Sequence, residues 1–581
     1  MKVVFLISLI LSSNFAKVLE KASLQTLRSY YKPKMPPSII DSVKLEEGKE
    51  TDSYACHEEI RILFPNIYRM PILTFEKSEE SNYGKPINVG VILGGGQAPG
   101  DHEVILGIFD GLKKINNGCR LYGFLNGLSG LIDHKYIELT EDIINEYRIT
   151  GGFDMIGSGY IKLEDESQFI KGLEICKKLG IKAIVIIGGD DLNINTSVLA
   201  EYYLRKKSDV QVIGVPKTIN GDLKNEFIQT TIGFDTATKV YSEIIGNIER
   251  DAISAKKYWH FIRLMGGKAS HVTLECALKT QPNIALIGEK IEYENQSLDD
   301  IVTYIATVVR DRADKGLNFG TVLIPEGLIE FIPETKKLIE EIDNLVDANQ
   351  KELDKISDND KIKFIQEHLC KRNAELFKSL PETISKPLVL DRDPYGNIIL
   401  SHIPTEQLLV EMVAKQLSQW KSRFEYHGKF VAQKHFFGYE GRYAAPSNFD
   451  VDYSYSLGRI AALLINFGKT GYMPYVKNLN KPVSEWVGGG IPITAFMNLK
   501  EKNGKIMPII QKSLVELFSG SLEELSSKRS SWAIKTSYKY SGPIQYWGPS
   551  EVSDVPPETI RYDISHKEWI ELISSLKFKD R

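Results

Sequence analysis

Cysteine is scarce in this chain of 581 residues, and the five that occur, Cys56, Cys119, Cys176, Cys276 and Cys370, stand at long and irregular spacings. Such spacing supports neither a CxxC metal site nor a disulfide framework, and a reducing, cytoplasmic setting is the simpler expectation. A surplus of one charge is missing too, since 72 basic residues against 76 acidic ones leave a formal net charge of -4. Nucleic acid is therefore not expected as a partner, and any anionic ligand needs a local site. No apolar run is long enough to span a membrane. The nearest approach, MKVVFLISLILSSNFA at residues 1–16, resembles a weak secretory signal, although Asn14 sits poorly for cleavage after Ala16. An N-terminal helix docked on the body, or a start placed too early, accounts for it as well. Also absent are the dinucleotide fingerprint G-x-G-x-x-G, the P-loop ending in GK[ST], a strong internal repeat and a low-complexity linker.

With 42% hydrophobic and 25% charged residues, the chain can bury a sizeable core and divide into two or three domains. Apolar, β-rich runs alternate with helical patterns: INVGVIL, AIVIIGG, VQVIGV, WHFIRLMGG, IALIGE and FGTVLIPEG. Each is nearly continuous in hydrophobicity and ends in Gly, Pro or a carboxylate, as buried parallel strands do. Amphipathic stretches such as LNINTSVLAEYYLRKK and KVYSEIIGNIERDAIS lie between them. The alternation predicts an α/β fold with parallel sheets, whose ligands gather beyond the carboxyl ends of the strands. Residues 333–386 are charged, helical in pattern and free of glycine, which predicts a helical insertion.

Six strand-end motifs carry candidate chemistry. In VILGGGQAPGDHEVI, Gly94 to Gly96 let backbone N–H groups approach a phosphate, with a helix N-terminus behind them, though a tight structural turn explains the glycines equally well. In IIGGDDLN, the adjacent Asp190 and Asp191 suit a hard cation that bridges phosphate oxygens, the competing role being a helix N-cap. In PKTINGDLKN, Lys217 offers phosphate a point charge. WHFIRLMGGKASH, IPEGLIEFIPE with Glu326, and FFGYEGR with Tyr439, Glu440 and Arg442 complete the set. The last is a compact polar cluster suited to a sugar phosphate.

Together and in this order, GGGQAPG, GGDD, PKTI-x-GD, KYWHFIRLMG, ASHVTLECALKT, PEGLIEFIPE and FFGYEGR resemble the long pyrophosphate-dependent phosphofructokinases. The resemblance runs from about Leu24 to SGPIQYWG and argues against a dehydrogenase. It implies two Rossmann-like α/β domains with the site between them, completed by a neighbouring subunit, and reversible transfer of phosphate from diphosphate to fructose 6-phosphate with Mg²⁺. By motif, Gly95, Lys217 and Asp191 fall at diphosphate positions, with Asp191 excluding a nucleotide, and Asp190 falls at the metal carboxylate. Thr218, Ile219, Asn220, Met265, Gly266, Gly267, Glu326, Tyr439 and Arg442 fall at sugar-phosphate positions. Lys257 and Tyr258 match a pair shared across the subunit interface.

Several site residues depart from that family's pattern. Asn220 stands where the resemblance implies the catalytic aspartate, and an amide cannot take the sugar hydroxyl's proton, so a general-base contribution of roughly 10²- to 10⁴-fold is lost unless Asp222 or water accepts it. Gly267 replaces an expected arginine, a charged contact worth about 1.5 to 3 kcal/mol, and the adjacent Lys268 lacks its fork geometry. Tyr160 replaces a phosphate-binding arginine, Leu192 replaces a hydroxyl, and Asp101 and Glu103 add negative charge beside the diphosphate site. The turn INGDLKN also resembles that of the regulatory α-subunit of the plant enzymes, which pairs with a catalytic β-subunit, although those subunits lack GGDD. The expectation is a phosphofructokinase framework weak or inactive alone, a homo-oligomer or a hetero-oligomer with a catalytic paralogue. A fully active enzyme is the alternative. Its expected segments are an extension 1–23, a family segment 24–85, a diphosphate domain 86–260, a sugar-phosphate domain 261–500 with the insertion 333–386, and a C-terminal segment 501–581.

Overall fold

The computed structural model describes residues 28–79, 84–393, 396–502, 505–542, 544 and 554–564. The signal-like stretch and the whole extension 1–23 lie outside the described residues. Two principal sheets organise the chain. Strands β1 (Val43–Glu50), β2 (Pro71–Lys77), β3 (Asn88–Leu93), β4 (Arg120–Phe124), β5 (Tyr136–Glu138), β6 (Ile181–Gly188) and β7 (Gln211–Pro216) belong to the larger one. They are joined there by the late strands β12 (Tyr472–Lys477) and β13 (Val487–Pro492), in the order β1-β2-β13-β12-β7-β6-β3-β4-β5. Its middle, β12-β7-β6-β3-β4, is parallel, and the flanking strands pair antiparallel. The smaller sheet holds β8 (Tyr258–Leu264), β9 (Ile284–Ala285), β10 (Phe319–Pro325) and β11 (Ala432–Phe437) in the all-parallel order β11-β8-β10-β9. A hairpin, β14 (Met497–Lys502) with β15 (Lys505–Ile510), follows.

All six apolar runs form strands because each must bury side chains on both faces. On β3 and β6, Val89, Val91, Leu93, Ala183, Val185 and Ile187 face one layer of core, while Ile92, Ile184 and Ile186 face the other. Helices α1 (Asp101–Ile115), α2 (Asp190–Arg205), α3 (Phe234–Ala255) and α4 (His271–Thr280) follow strand-end loops. Four helices, α5 (Pro333–Leu353), α6 (Asp358–His368), α7 (Lys371–Ser379) and α8 (Glu382–Leu390), make the expected insertion, which runs a few residues past 386. The apolar stretch YSYSLGRIAALLIN at 453–466 lies in α9 (Asn448–Asn466), which crosses α1 closely. A Cβ on Gly107 would lie 2.3 Å from the Tyr455 carbonyl oxygen, and one on Gly458 would lie 2.2 Å from that of Val104, so glycine is what lets the two backbones meet.

The topology differs from the expected division. A boundary after residue 260 would cut β8, and 472–492 return to the large sheet although they follow the sugar-phosphate segment in sequence. Strand pairing over such separations leaves no local mark. Among the described residues, no helix is long and apolar enough to cross a membrane.

Candidate active site

Six strands send their carboxyl ends to one cleft. The large sheet contributes Gly94–Gly96 after β3, Gly189–Asp191 after β6 and Lys217–Asp222 after β7. The small sheet contributes Met265–Gly267 after β8, Glu326 after β10 and Tyr439–Arg442 after β11. The two sides touch directly: Arg442 Nη1 donates to the Gln97 carbonyl at 3.0 Å, and a Cβ on Gly267 would lie 2.6 Å from Asn220 Nδ2. Two departures from the family pattern, Asn220 and Gly267, are thus neighbours across the cleft.

At 220 the amide is fixed by its surroundings. Its backbone N–H donates to Thr218 Oγ1 at 3.1 Å, and Nδ2 donates to Asp222 Oδ2 at 3.4 Å. Asn220 Oδ1 and Asp222 Oδ1 are buried without hydrogen-bond partners. Asp222 and Asp190 share a cation that no motif announced: Lys512 Nζ lies 3.4 Å from Asp190 Oδ2 and 3.5 Å from Asp222 Oδ2. Burial pushes the Asp190 carboxyl up to about 6, with Lys512 opposing the shift and Asp222 and Asp191 adding to it. The Lys512 ammonium is held well above its ordinary value, because the attraction of Asp222 and Asp190 outweighs the effect of burial. Gly189 is the N-cap of α2 and no side chain caps that end, so the Asp pair is not explained by capping.

These residues fit a hard divalent ion. Asp190 and Asp222 supply two carboxylates, one with an oxygen lacking any hydrogen bond. Among the described residues, no three His, Cys, Asp or Glu side chains form a metal cage. An ion that takes one or two carboxylates and fills its shell with phosphate oxygens and water needs no such cage.

Lys217 is less available than its motif suggested. Its Nζ pairs with Asp101 Oδ2 at 3.2 Å, and each side chain is only 1% exposed. Burial lowers the lysine and raises the aspartate, and each partner's charge opposes the other's shift. Glu103, in contrast, points away from the site: its carboxylate accepts the Ile149 N–H at 2.7 Å. The charge expected from Glu103 beside the donor site is therefore not there. Leu192 does not line the site either, since it packs beneath Gly94 and Gly188. The Gly95 N–H donates to the Gly159 carbonyl at 2.9 Å, so this glycine gives a ligand room more than a donor. Tyr160 comes to the glycine turn as expected, its hydroxyl and Arg442 flanking Gly96.

On the small-sheet side, Glu326 Oε2 accepts the Gly266 and Gly267 N–H groups at 3.0 and 2.8 Å, fixing the turn that Gly267 closes at φ +64°. Arg442 Nε donates to Met265 Sδ, which ties two of the predicted residues together. Lys268 pairs with Glu330 at 2.9 Å rather than standing in for the missing arginine. Tyr439 is half exposed and stacks on Tyr443 with ring centroids 5.7 Å apart. The side chain of Ile219 is wholly buried in the core, so only its backbone, between Thr218 and Asn220, can face the cleft. Lys257 and Tyr258, stacked on each other 5.1 Å apart, stand at the opposite end of β8 from Met265, about 20 Å away at strand rise. They do not join this chain's own site.

Strand ends of two α/β lobes facing one another across carboxylates are the arrangement of a phosphofructokinase-fold protein. A solved structure described as a pyrophosphate-dependent phosphofructokinase from Nitrosospira multiformis shares this fold, with a TM-score of 0.51 and 17% identity over 82% of this chain and 96% of that one. A phosphofructokinase family model matches residues 88–369. The chain is 52% identical over 543 residues, 94% of its own length and 99% of the other's, to a Porphyromonas gingivalis protein named pyrophosphate--fructose 6-phosphate 1-phosphotransferase. The chain belongs to the phosphofructokinase family, in the pyrophosphate-dependent branch that its motifs resemble. Among Arabidopsis thaliana subunits of that name, it is 44% identical to β 1 over 89% of this chain and 90% of the other, and 36% identical to α 2 over 93% and 88%. The α-like turn at Asn220 is therefore a local likeness in a chain nearer to the β form.

Proposed function

We propose that this chain binds fructose 6-phosphate and diphosphate in the cleft between its sheets, with Mg²⁺ on Asp190 and Asp222, and that alone it transfers the phosphoryl group slowly. The carrying observation is the amide at 220, directed at Asp222 in the place of a proton acceptor. When bound, the metal neutralises charge on the phosphate oxygens. Arg442 reaches across the cleft to the glycine turn and can hold substrate on either side of it, while Asp191 restricts the donor to one smaller than a nucleotide. The position of Lys257 and Tyr258 at the far end of β8 suits a neighbour's site, in a homo-oligomer or beside a catalytic paralogue.

A coupled assay of the purified chain, run beside calorimetric titration, tests this. Saturable binding of fructose 6-phosphate with little turnover is expected. Robust turnover by the unmodified chain overturns slow transfer, and absence of binding overturns the whole proposal. A second possibility, transfer with Asp222 as proton acceptor, is favoured by its unpartnered Oδ1, and an Asp222→Asn variant that abolishes robust turnover while still binding Mn²⁺ with the affinity of the natural chain would identify it.

Restoring arginine at 267 should fail by itself. The residue has φ +64° and its Cβ would meet Asn220 Nδ2 at 2.6 Å, and a left-handed conformation costs a non-glycine residue about 1–2 kcal/mol. Gly267→Arg should therefore lower Tm and not deliver the roughly tenfold or greater gain in fructose 6-phosphate affinity that a new charged contact brings. Calorimetry and thermal denaturation check both halves.

A further inference from the structure

The chain leaving β15 carries a cation into the metal site along a path tied to both lobes. The Ser513 N–H donates to the Asp222 carbonyl at 2.6 Å. On the other side, His271 Nε2 at the start of α4 lies 3.0 Å from the Ser513 carbonyl, and the Val515 N–H donates to Glu289 Oε1 at 3.1 Å. With the backbone pinned at these points, the side chain of Lys512 enters the cleft and places Nζ between Asp190 and Asp222. Its side chain is 38% exposed, whereas those of Asp190 and Asp222 are 18% and 1% exposed, so the lysine side chain approaches the two carboxylates from the solvent side.

We propose that Lys512 is a built-in counter-cation that competes with the divalent metal for Asp190 and Asp222, and that metal entry turns its ammonium outward. The inference rests on the assignment of the metal to Asp190. An ammonium and a divalent ion cannot both lie against the same carboxylate oxygens without strong like-charge repulsion. The flexible lysine stem and its exposed side give the displaced ammonium somewhere to go. Diphosphate, bringing negative charge, can then accept both cations, so metal and diphosphate bind better together than either does alone.

Titration of the full chain with Mn²⁺, followed by electron paramagnetic resonance and without diphosphate, tests this. Lys512→Met should bind Mn²⁺ about 10-fold or more tightly than the natural chain, whereas Lys512→Arg, which keeps the charge, should stay close to natural affinity. Addition of Asp190→Asn to Lys512→Met should abolish binding. If Asp190→Asn abolishes binding while Lys512→Met binds no more tightly than the natural chain, the competition is overturned and the metal assignment stands. If Mn²⁺ binding survives Asp190→Asn, or no variant binds Mn²⁺ at millimolar concentration, assignment and competition fall together. Should Lys512→Met prove unstable, Lys512→Gln removes the same charge and is read in the same way.

Discussion

An Asn220→Asp variant should transfer phosphate roughly 10²- to 10⁴-fold faster than the natural chain, the range that a positioned general base contributes. Asparagine and aspartate share one shape, so the new carboxylate inherits the backbone bond to Thr218 and the position beside Asp222. What changes is the acceptor: the amide oxygen cannot hold the sugar hydroxyl's proton, and a carboxylate can. The cost is a third negative group close to Asp222 and Asp190, where burial and like charge already push Asp190 up to about 6. Lys512, 3.4 Å from Asp190 and 3.5 Å from Asp222, or the metal that takes its place, lies on the compensating side of that balance, so the substitution should leave the fold intact. The gain should appear in kcat with little change in the KM for fructose 6-phosphate, because the proton moves only as the transition state forms. A coupled assay of both proteins at saturating Mg²⁺ and diphosphate measures it. If Asp222 already serves as the base, Asn220→Asp will change kcat less than about 10-fold, and that result removes the amide from the explanation.

The fold was legible because its signals are local. Six apolar runs had to be strands, the Gly-free charged stretch had to be helices, and the strand-end motifs placed Gly95, Asp190, Asn220, Met265, Glu326 and Arg442 around one cleft. Less legible was anything set by pairing across the chain. The return of 472–492 to the large sheet depends on contacts about 260 residues distant in β7, and the Gly107–Gly458 approach depends on two helices about 350 residues apart. Lys512 lies in a segment with no motif, and only the hydrogen bonds of Ser513 reveal where it is delivered. Side-chain direction misled in three places. Ile219 and Leu192 turn into the core although their motif neighbours face the cleft, and Glu103 turns back to the Ile149 N–H. Motif position fixes the backbone, and the choice between site and core is made by the surrounding packing.

Asp101→Asn should both destabilise the protein by about 3–5 kcal/mol and tighten diphosphate binding about 10-fold or more. The two effects have one origin. Asp101 and Lys217 form an ion pair at 3.2 Å from which water is excluded, and removal of either partner leaves the other as a buried, uncompensated charge. While the pair stands, Lys217 cannot turn to diphosphate without stranding Asp101, whose Oδ1 has no hydrogen-bond partner. Asparagine in place of Asp101 releases the ammonium, and diphosphate becomes its natural counter-ion, so added diphosphate should raise the Tm of the variant by more than that of the natural chain. Lys217→Met should destabilise as much and lose this rescue, while Lys217→Met combined with Asp101→Leu should recover most of the stability, because two apolar side chains replace a buried pair without loose charge. Denaturant unfolding of the four proteins, with and without diphosphate, separates these outcomes. Destabilisation without tighter diphosphate binding would show that the pair is structural only.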